Sequence, residues 1–517
     1  MSFAAFARSF VEAGGRHAFG VTGGGPSIEL IDALIGAGVG YVPVAHETTA
    51  GLMAGACVRQ TGRPALAIAI KGPGFINLAP ALLCNAYEGC ASLSISESYA
   101  WGHRGSRRHK WLDHRLPIRE FVRGHLGFQD DASFFSRCWT RATGEPAGPV
   151  HVDIGALEEE APPPGRRRPA SADLQDCLAR IEAARRPVVV CGSWCLRDPE
   201  LTALRSLPVP VFTTPAAKGF VPETVPNAAG VLTGAGKPIT PERALLAEAD
   251  LLVGFGLRAG ELLEPTFDVP LVLFDAAVLL ERSTFPGADL GQPVCHVEVS
   301  DLAPALEALT ARAWGEASVA ASREHLIDIA SPFEWSPARC MEAAQQTLPD
   351  AVHVLDTGNF TVVGEHFLRA REPSDVLGTP NGRFMGMGIG YALGAALATP
   401  QRPVLLWIGD GGIRGLLAEL AIARDLGLAL CVCVMSDGYY GSIRGRAVAS
   451  GLDLTAVTLT PRQLGGVARA LGLQSAEVET VDDFRTALSS FASAQAPVVV
   501  DCRFDADGYQ RLASALR

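Results

Sequence analysis

Two hydrophobic rhythms alternate along this chain. Short runs such as Ala65–Ile70, Val404–Ile408 and Leu428–Met435 are apolar at almost every position, the mark of a strand buried on both faces of a parallel sheet. Between them, apolar residues return every three or four positions. Phe3, Phe6 and Phe10 do so, as do Ile413, Leu416, Leu417 and Leu420, which predicts helices with one buried stripe. In the first segment the pattern predicts strands over His17–Val21, Tyr41–Ala45 and Ala65–Ile70. The matching helices are Ser27–Leu34, Thr48–Gln60 and Asn77–Tyr87. A Pro/Arg-rich break at Ala161–Pro169 and a softer one between Gly315 and Pro337 divide the chain. Strand–helix alternation in all three parts predicts an α/β protein of three doubly wound, mainly parallel-sheet domains: residues 1–160, 171–330 and 336–517. Ser336-Pro337 marks the start of the last domain's first helix, a cap followed by proline.

One stretch carries chemistry. After the strand Val404–Ile408 comes Gly409-Asp410-Gly411-Gly412, then a helical pattern, then a second strand that stops at Ser436-Asp437-Gly438. In a βαβ unit the two strand ends lie side by side, where open α/β sheets bind ligands. Asp410 and Asp437, 27 positions apart, are thereby brought together. Two carboxylates and a nearby carbonyl such as that of Tyr439 suit a hard cation like Mg²⁺. The glycines let backbone amides reach a phosphate, and the helix expected after them presents its N-terminus. A magnesium-bound diphosphate is the expected ligand.

Composition narrows the class. The net charge of −11 argues against nucleic acid or an acidic membrane as partner. No apolar run reaches the roughly 18 residues of a membrane helix. The Phe-rich N-terminus carries Arg8 and Glu12 within its pattern and reads as a docking helix, which points to a cytoplasmic protein. The 12 cysteines form no CxxC pair and sit in apolar runs, as reduced buried thiols do. Basic residues nonetheless crowd between His103 and Arg115, a candidate attractor of an anionic substrate.

Three motifs in order, FGVTGGGPSIELIDAL, VAHETTAGLMAGA and KGPGFINLAPAL, precede the GDGG unit. Together they resemble the thiamine-diphosphate-dependent superfamily of acetolactate synthases and 2-oxo acid decarboxylases, and the resemblance covers nearly the whole chain. It implies a pyrimidine-binding, a central and a diphosphate-binding domain, with thiamine diphosphate and Mg²⁺ as cofactors and FAD not expected. Glu47 matches the catalytic glutamate that hydrogen-bonds the aminopyrimidine N1′. Gly24, Asn77, Gly358, Asn359, Gly409, Gly411, Gly412 and Tyr440 match cofactor-binding positions, and Met385 the bulky residue under the cofactor. Asp410, Asp437 and the Tyr439 carbonyl match the metal ligands, although the family usually has Asn-Asn where this chain has Ser436-Asp437. Lys71, His109, His114, Arg444 and Arg446 are candidate substrate contacts. The adjacent His-His pair of pyruvate decarboxylases is absent, and arginine stands near where acetolactate synthases carry a tryptophan. The implied activity is carboligation of a 2-oxo acid donor with a second carbonyl. The alternatives are simple decarboxylation and a non-catalytic cofactor binder. A homodimer or homotetramer, with active sites shared between subunits, is the implied assembly.

Overall fold

The computed structural model describes residues 3–99, 109–155, 159–160, 172–258, 261–262, 267–276, 294–459 and 463–517. Three sheets follow one another along the chain. The first has seven strands, in the order Gly40–Pro43, His17–Gly20, Leu66–Ala69, Leu93–Glu97, Val150–Ile154, Gly124–Gly127 and Glu159–Glu160. Every pairing is parallel except the last. The central and third sheets have six strands each and are wholly parallel. The third runs Val376–Gly378, Val352–Leu355, Val404–Gly409, Leu430–Ser436, Val498–Arg503, Gln474–Val478. The first and third sheets share a winding in which the first strand lies between the second and third. Strand order therefore reverses beside His17–Gly20 and beside Val352–Leu355, and a crevice opens there at the carboxyl ends.

The apolar runs are explained by two-sided burial. In the strand Val404–Gly409, Leu405 and Trp407 pack into a core with Cys431 and Cys433 on one face. Val404, Leu406 and Ile408 face a second core, shared with the first domain. That shared core closes where the helices Glu47–Thr61 and Gly388–Ala398 cross. A Cβ added at Gly390 would sit 2.6 Å from that of Leu52, and one at Gly394 2.5 Å from the Met53 carbonyl oxygen. The small residues of both helices are what permit this approach. The central domain is tied in differently. The buried Lys218 ammonium bonds both Glu223 carboxylate oxygens (2.7 and 2.8 Å) and the Glu365 carbonyl, while Glu223 accepts from the Ala370 amide.

Ser336 caps the helix Pro337–Thr347 as the sequence predicts, and all 12 cysteines are free and buried. One predicted element differs. The apolar rhythm after GDGG implies a helix, yet the chain makes 3₁₀ turns over Gly412–Gly415 and Leu417–Leu420 and only a short α-helix over Ala421–Asp425. Gly411, Gly412 and Gly415 weaken helix nucleation here. Leu416, with φ −129° and ψ 23°, separates the two turns. Among the described residues no helix is long and apolar enough to cross a membrane.

Candidate active site

At the crevice of the third sheet three loops meet: the one after Leu355, the glycine turn after Ile408, and the turn after Ser436. They enclose a cavity of about 390 Å³. Its wall holds Gly358, Asn359, Met385, Gly409, Asp410, Gly411, Gly412, Asp437, Tyr439 and Tyr440, so the structure brings together every position the sequence singled out in this domain except Arg444 and Arg446. The helices Asn359–Phe367 and Gly441–Ala449 both begin at the wall. Their amino ends bring partial positive charge and unused amides.

Asp410 and Asp437 are each 4% exposed. Asp410 Oδ2 accepts from the Gly438 amide at 2.9 Å, and Asp437 Oδ1 from the Tyr439 amide at 2.9 Å, so each carboxylate is held in place by the neighbouring turn. Nothing but a Phe360 ring carbon at 3.6 Å lies near the Cβ position of Gly409, whereas a Cβ on Gly411 would come 2.6 Å from the Tyr440 ring. One on Gly412 would come 2.6 Å from Asp356 Oδ2. Bare backbone beside a pair of carboxylates and two helix starts is a donor set that fits a diphosphate with a hard cation. Met385 reaches into the cavity with half its surface exposed, 51%.

Asp356 braces the loop at this cavity, a place that the sequence reading passed over as a strand end. Its fully buried carboxylate accepts from the amides of Gly386 (2.9 Å) and Gly388 (3.0 Å), so it fixes the loop carrying Met385. Burial pushes its pKa up to about 7, against the hydrogen bonds from those glycines.

The first domain supplies a second constellation. Glu47 starts its helix after the short strand Gly40–Pro43 and is 6% exposed. Asn77 Nδ2 donates to Glu47 Oε2 at 3.0 Å, and the Asn77 carbonyl accepts from the Thr48 hydroxyl. A Cβ at Gly74 would lie 2.7 Å from Glu47 Oε1. Glu419, another residue missed from sequence, accepts from the amides of Ala45 (3.1 Å) and His46 (2.7 Å) and so ties the segment after GDGG to the strand end before Glu47. Gly24 is exposed and has nothing within 4 Å of its Cβ position.

The candidate substrate contacts divide. Lys71 pairs with Glu97 at 3.0 Å and lies over the Tyr99 ring. Burial pushes the Glu97 carboxyl up, but bonds from Ser27 and Lys71 outweigh it and hold the pKa below the ordinary value. His109 is exposed. His114 corrects the picture of a solvent-facing basic stretch: it is 1% exposed and locked at 2.8 Å to Asp153, a buried acid distant in sequence. His103, Arg104, Arg107 and Arg108, the rest of that stretch's early part, lie outside the described residues. Arg444 is engaged with Asp507 at 2.7 Å and stacks over the Tyr439 ring, while Arg446 is exposed.

Comparison with known proteins agrees with this geometry. Residues 3–117 match the thiamine pyrophosphate enzyme N-terminal TPP binding domain, residues 174–274 the central domain, and residues 356–502 the C-terminal TPP binding domain. A probable 2-ketoarginine decarboxylase of Pseudomonas aeruginosa is 29% identical over 500 residues, 88% of this chain and 86% of that protein. The acetolactate synthase isozyme 1 large subunit of Escherichia coli is 25% identical over 533 residues, 94% and 91% of the two chains. A 2-hydroxyacyl-CoA lyase of Oryza sativa is 25% identical over 563 residues, 96% and 94%. With all three of its domains matched in order, the chain belongs to the thiamine pyrophosphate (thiamine diphosphate) enzyme family and makes or breaks carbon–carbon bonds with that cofactor.

Proposed function

We propose that this protein is a Mg²⁺- and thiamine-diphosphate-dependent carboligase, which removes CO₂ from a 2-oxo acid and joins the remaining acyl carbon to a second carbonyl. The observation that carries the reading is the cavity in which Asp410 and Asp437 flank a bare glycine turn. Asp410, Asp437 and the Tyr439 carbonyl would hold the cation. The backbone of Gly409, Gly411 and Gly412, with Gly358 and Asn359, would hold the diphosphate, and Met385 would support the rest of the cofactor. When bound, thiamine diphosphate supplies the electron sink for the carbonyl carbon.

The chain's own groups orient, hold protons and exclude water. Glu47, fixed by Asn77, has the role of hydrogen-bonding the pyrimidine through a carboxyl that little solvent reaches. Among the described residues, the cavity wall holds those of the third domain and none of the first. This supports a site completed by Glu47 of a second copy, in a homodimer or homotetramer. Acetolactate synthases among the relatives, such as those of Escherichia coli and Bacillus subtilis, support carboligation. The relative at 29% identity, a probable 2-ketoarginine decarboxylase, favours a second reading in which the product is released as the aldehyde.

Product analysis separates the two. Purified enzyme, Mg²⁺ and thiamine diphosphate are incubated with a panel of 2-oxo acids, with and without added aldehyde. Hydroxyketones or 2-hydroxy-2-acyl acids are expected; aldehyde alone establishes the second reading. A protein that takes up neither cofactor nor divalent metal would overturn both.

A further inference from the structure

Three histidines and one aspartate lie buried together in the first domain, outside the cavity. Asp153 Oδ1 is 2.8 Å from His114 Nδ1 and 3.3 Å from His151 Nε2, and Asp153 Oδ2 is 2.8 Å from His125 Nε2. Ser96 Oγ lies 3.2 Å from His114 Nδ1 and 3.1 Å from Asp153 Oδ1. His114, His151 and Asp153 offer ligand atoms within 4.8 Å of one another, as a metal's ligands would.

The hydrogen bonds decide against a metal. The Gly72 amide donates to His114 Nε2 at 3.2 Å. That nitrogen must present a lone pair, so the neutral ring carries its one proton on Nδ1. A protonated Nδ1 ligates nothing. It donates instead to Asp153, whose carboxylate is ionised: burial pushes its pKa up, but bonds from His114, His125 and His151 outweigh it and hold it well below the ordinary value.

His114 Nε2 is thus a fixed acceptor aimed at one backbone amide, and that amide matters. Gly72 has φ +66° and precedes the helix Pro73–Tyr87. A side chain there would meet the Lys110 carbonyl oxygen at 2.5 Å. The first two turns of the same helix contain Gly74, which abuts Glu47 Oε1, and Asn77, which bonds Glu47 Oε2. Phe75, between them, stacks on the His114 ring with centroids 3.9 Å apart and planes 11° from parallel.

We infer that His114, held in its Nδ1–H tautomer by Asp153, is a positioning residue that sets the Gly72–Gly74 turn and, through Gly74 and Asn77, the place of the Glu47 carboxyl. The inference rests on the proposed role of Glu47 only for its catalytic consequence; the placement of the turn is testable without cofactor. The chain of contacts runs Asp153, His114, Gly72, helix start, Glu47, and each link is a named hydrogen bond or van der Waals contact.

Two isosteres test it. The amide of His114→Gln reaches the Nε2 position and keeps an acceptor for Gly72, whereas that of His114→Asn reaches only the Nδ1 position and leaves Gly72 unpaired. Amide exchange of the Gly72 region is measured in cofactor-free protein by mass spectrometry or NMR. Exchange about tenfold faster is expected in His114→Asn, about the loss of one hydrogen bond, with near wild-type protection in His114→Gln. In the loaded enzyme, kcat is expected to fall about 10- to 100-fold in His114→Asn, as for a displaced catalytic group, with KM little changed and activity restored in His114→Gln. Equal behaviour of the two variants in exchange overturns the inference. Faster exchange in His114→Asn with unchanged kcat severs the link to Glu47 and overturns it as well. Loss of thiamine diphosphate binding by the wild type would instead refute the proposed function and leave the exchange result standing.

Discussion

At the scale of single residues, the site is built from acids whose partners are backbone amides. Asp410 and Asp437 are each braced by an amide in the turn after Ser436, and Asp356 by two in the loop after Met385. Asp437→Asn keeps an oxygen at the cation but removes its charge; Mg²⁺ affinity is expected to fall about tenfold, and Asp437→Ala to abolish saturable binding, by calorimetric titration. Glu47→Gln is expected to abolish exchange of the cofactor C2 proton, read by NMR, and to leave the folded state unchanged by circular dichroism. Residue identity made the meeting of Asp410 and Asp437 legible from sequence, because GDGG and SDG punctuate strand ends that must adjoin. Asp356, Glu97, Glu419 and Asp153 were not legible. Each is a lone acid whose partners lie elsewhere in the chain, such as Ser27 and Lys71 for Glu97 or Ala45 and His46 for Glu419. The burial of His114 was not legible either, because a run of basic residues dictates nothing about which of them turns inward.

At the scale of elements, the strands followed from the run of apolar residues because both faces of each sheet are covered. The helix expected after GDGG did not form, since apolar spacing says which side is buried and nothing about whether glycines let a helix start. The helix pair Glu47–Thr61 and Gly388–Ala398 makes a sharper prediction. A Cβ at Gly394 would press on Met53 backbone atoms, 2.5 Å from the oxygen and 2.7 Å from Cα. Gly394→Ala is therefore expected to cost about 1–3 kcal/mol, seen as a lowered midpoint in denaturant unfolding. The strand Val352–Leu355 carries a second test. His353 accepts from Trp407 Nε1 at 3.1 Å, and burial lowers its pKa from 6.5 to about 4. A folded value below the unfolded one means that the unfolded chain takes up the proton first. Stability from this group is thus lost as pH falls from 6.5 towards 4, at about 1.4 kcal/mol per unit. His353→Gln is expected to flatten that slope relative to wild type in urea unfolding followed across this range.

At the scale of the whole molecule, the first and third domains share one core, and the central domain is attached by the buried Lys218–Glu223 pair and its bonds to the third. At the cavity, Met385 and Ile443 are 51% and 57% exposed, an apolar rim on an otherwise acidic protein. Covering that rim with the first domain of a second copy would close the site. Light scattering of the loaded enzyme is expected to give a dimer or tetramer, and dilution to inactivate it in step with dissociation. The threefold α/β architecture was readable from the alternation of rhythms alone; which helices join the domains was not, because small residues at helical spacing, such as Gly51 and Gly55 or Gly390 and Gly394, say that a neighbour comes close and not which neighbour. The tightness of that joint has a mechanical corollary. With no side chain between Gly394 and Met53 to repack, parting the outer domains would break backbone contact rather than slide side chains past one another. Amide exchange is therefore expected to be slow along both helices of the joint, and slower there than in the exposed helix Gly441–Ala449.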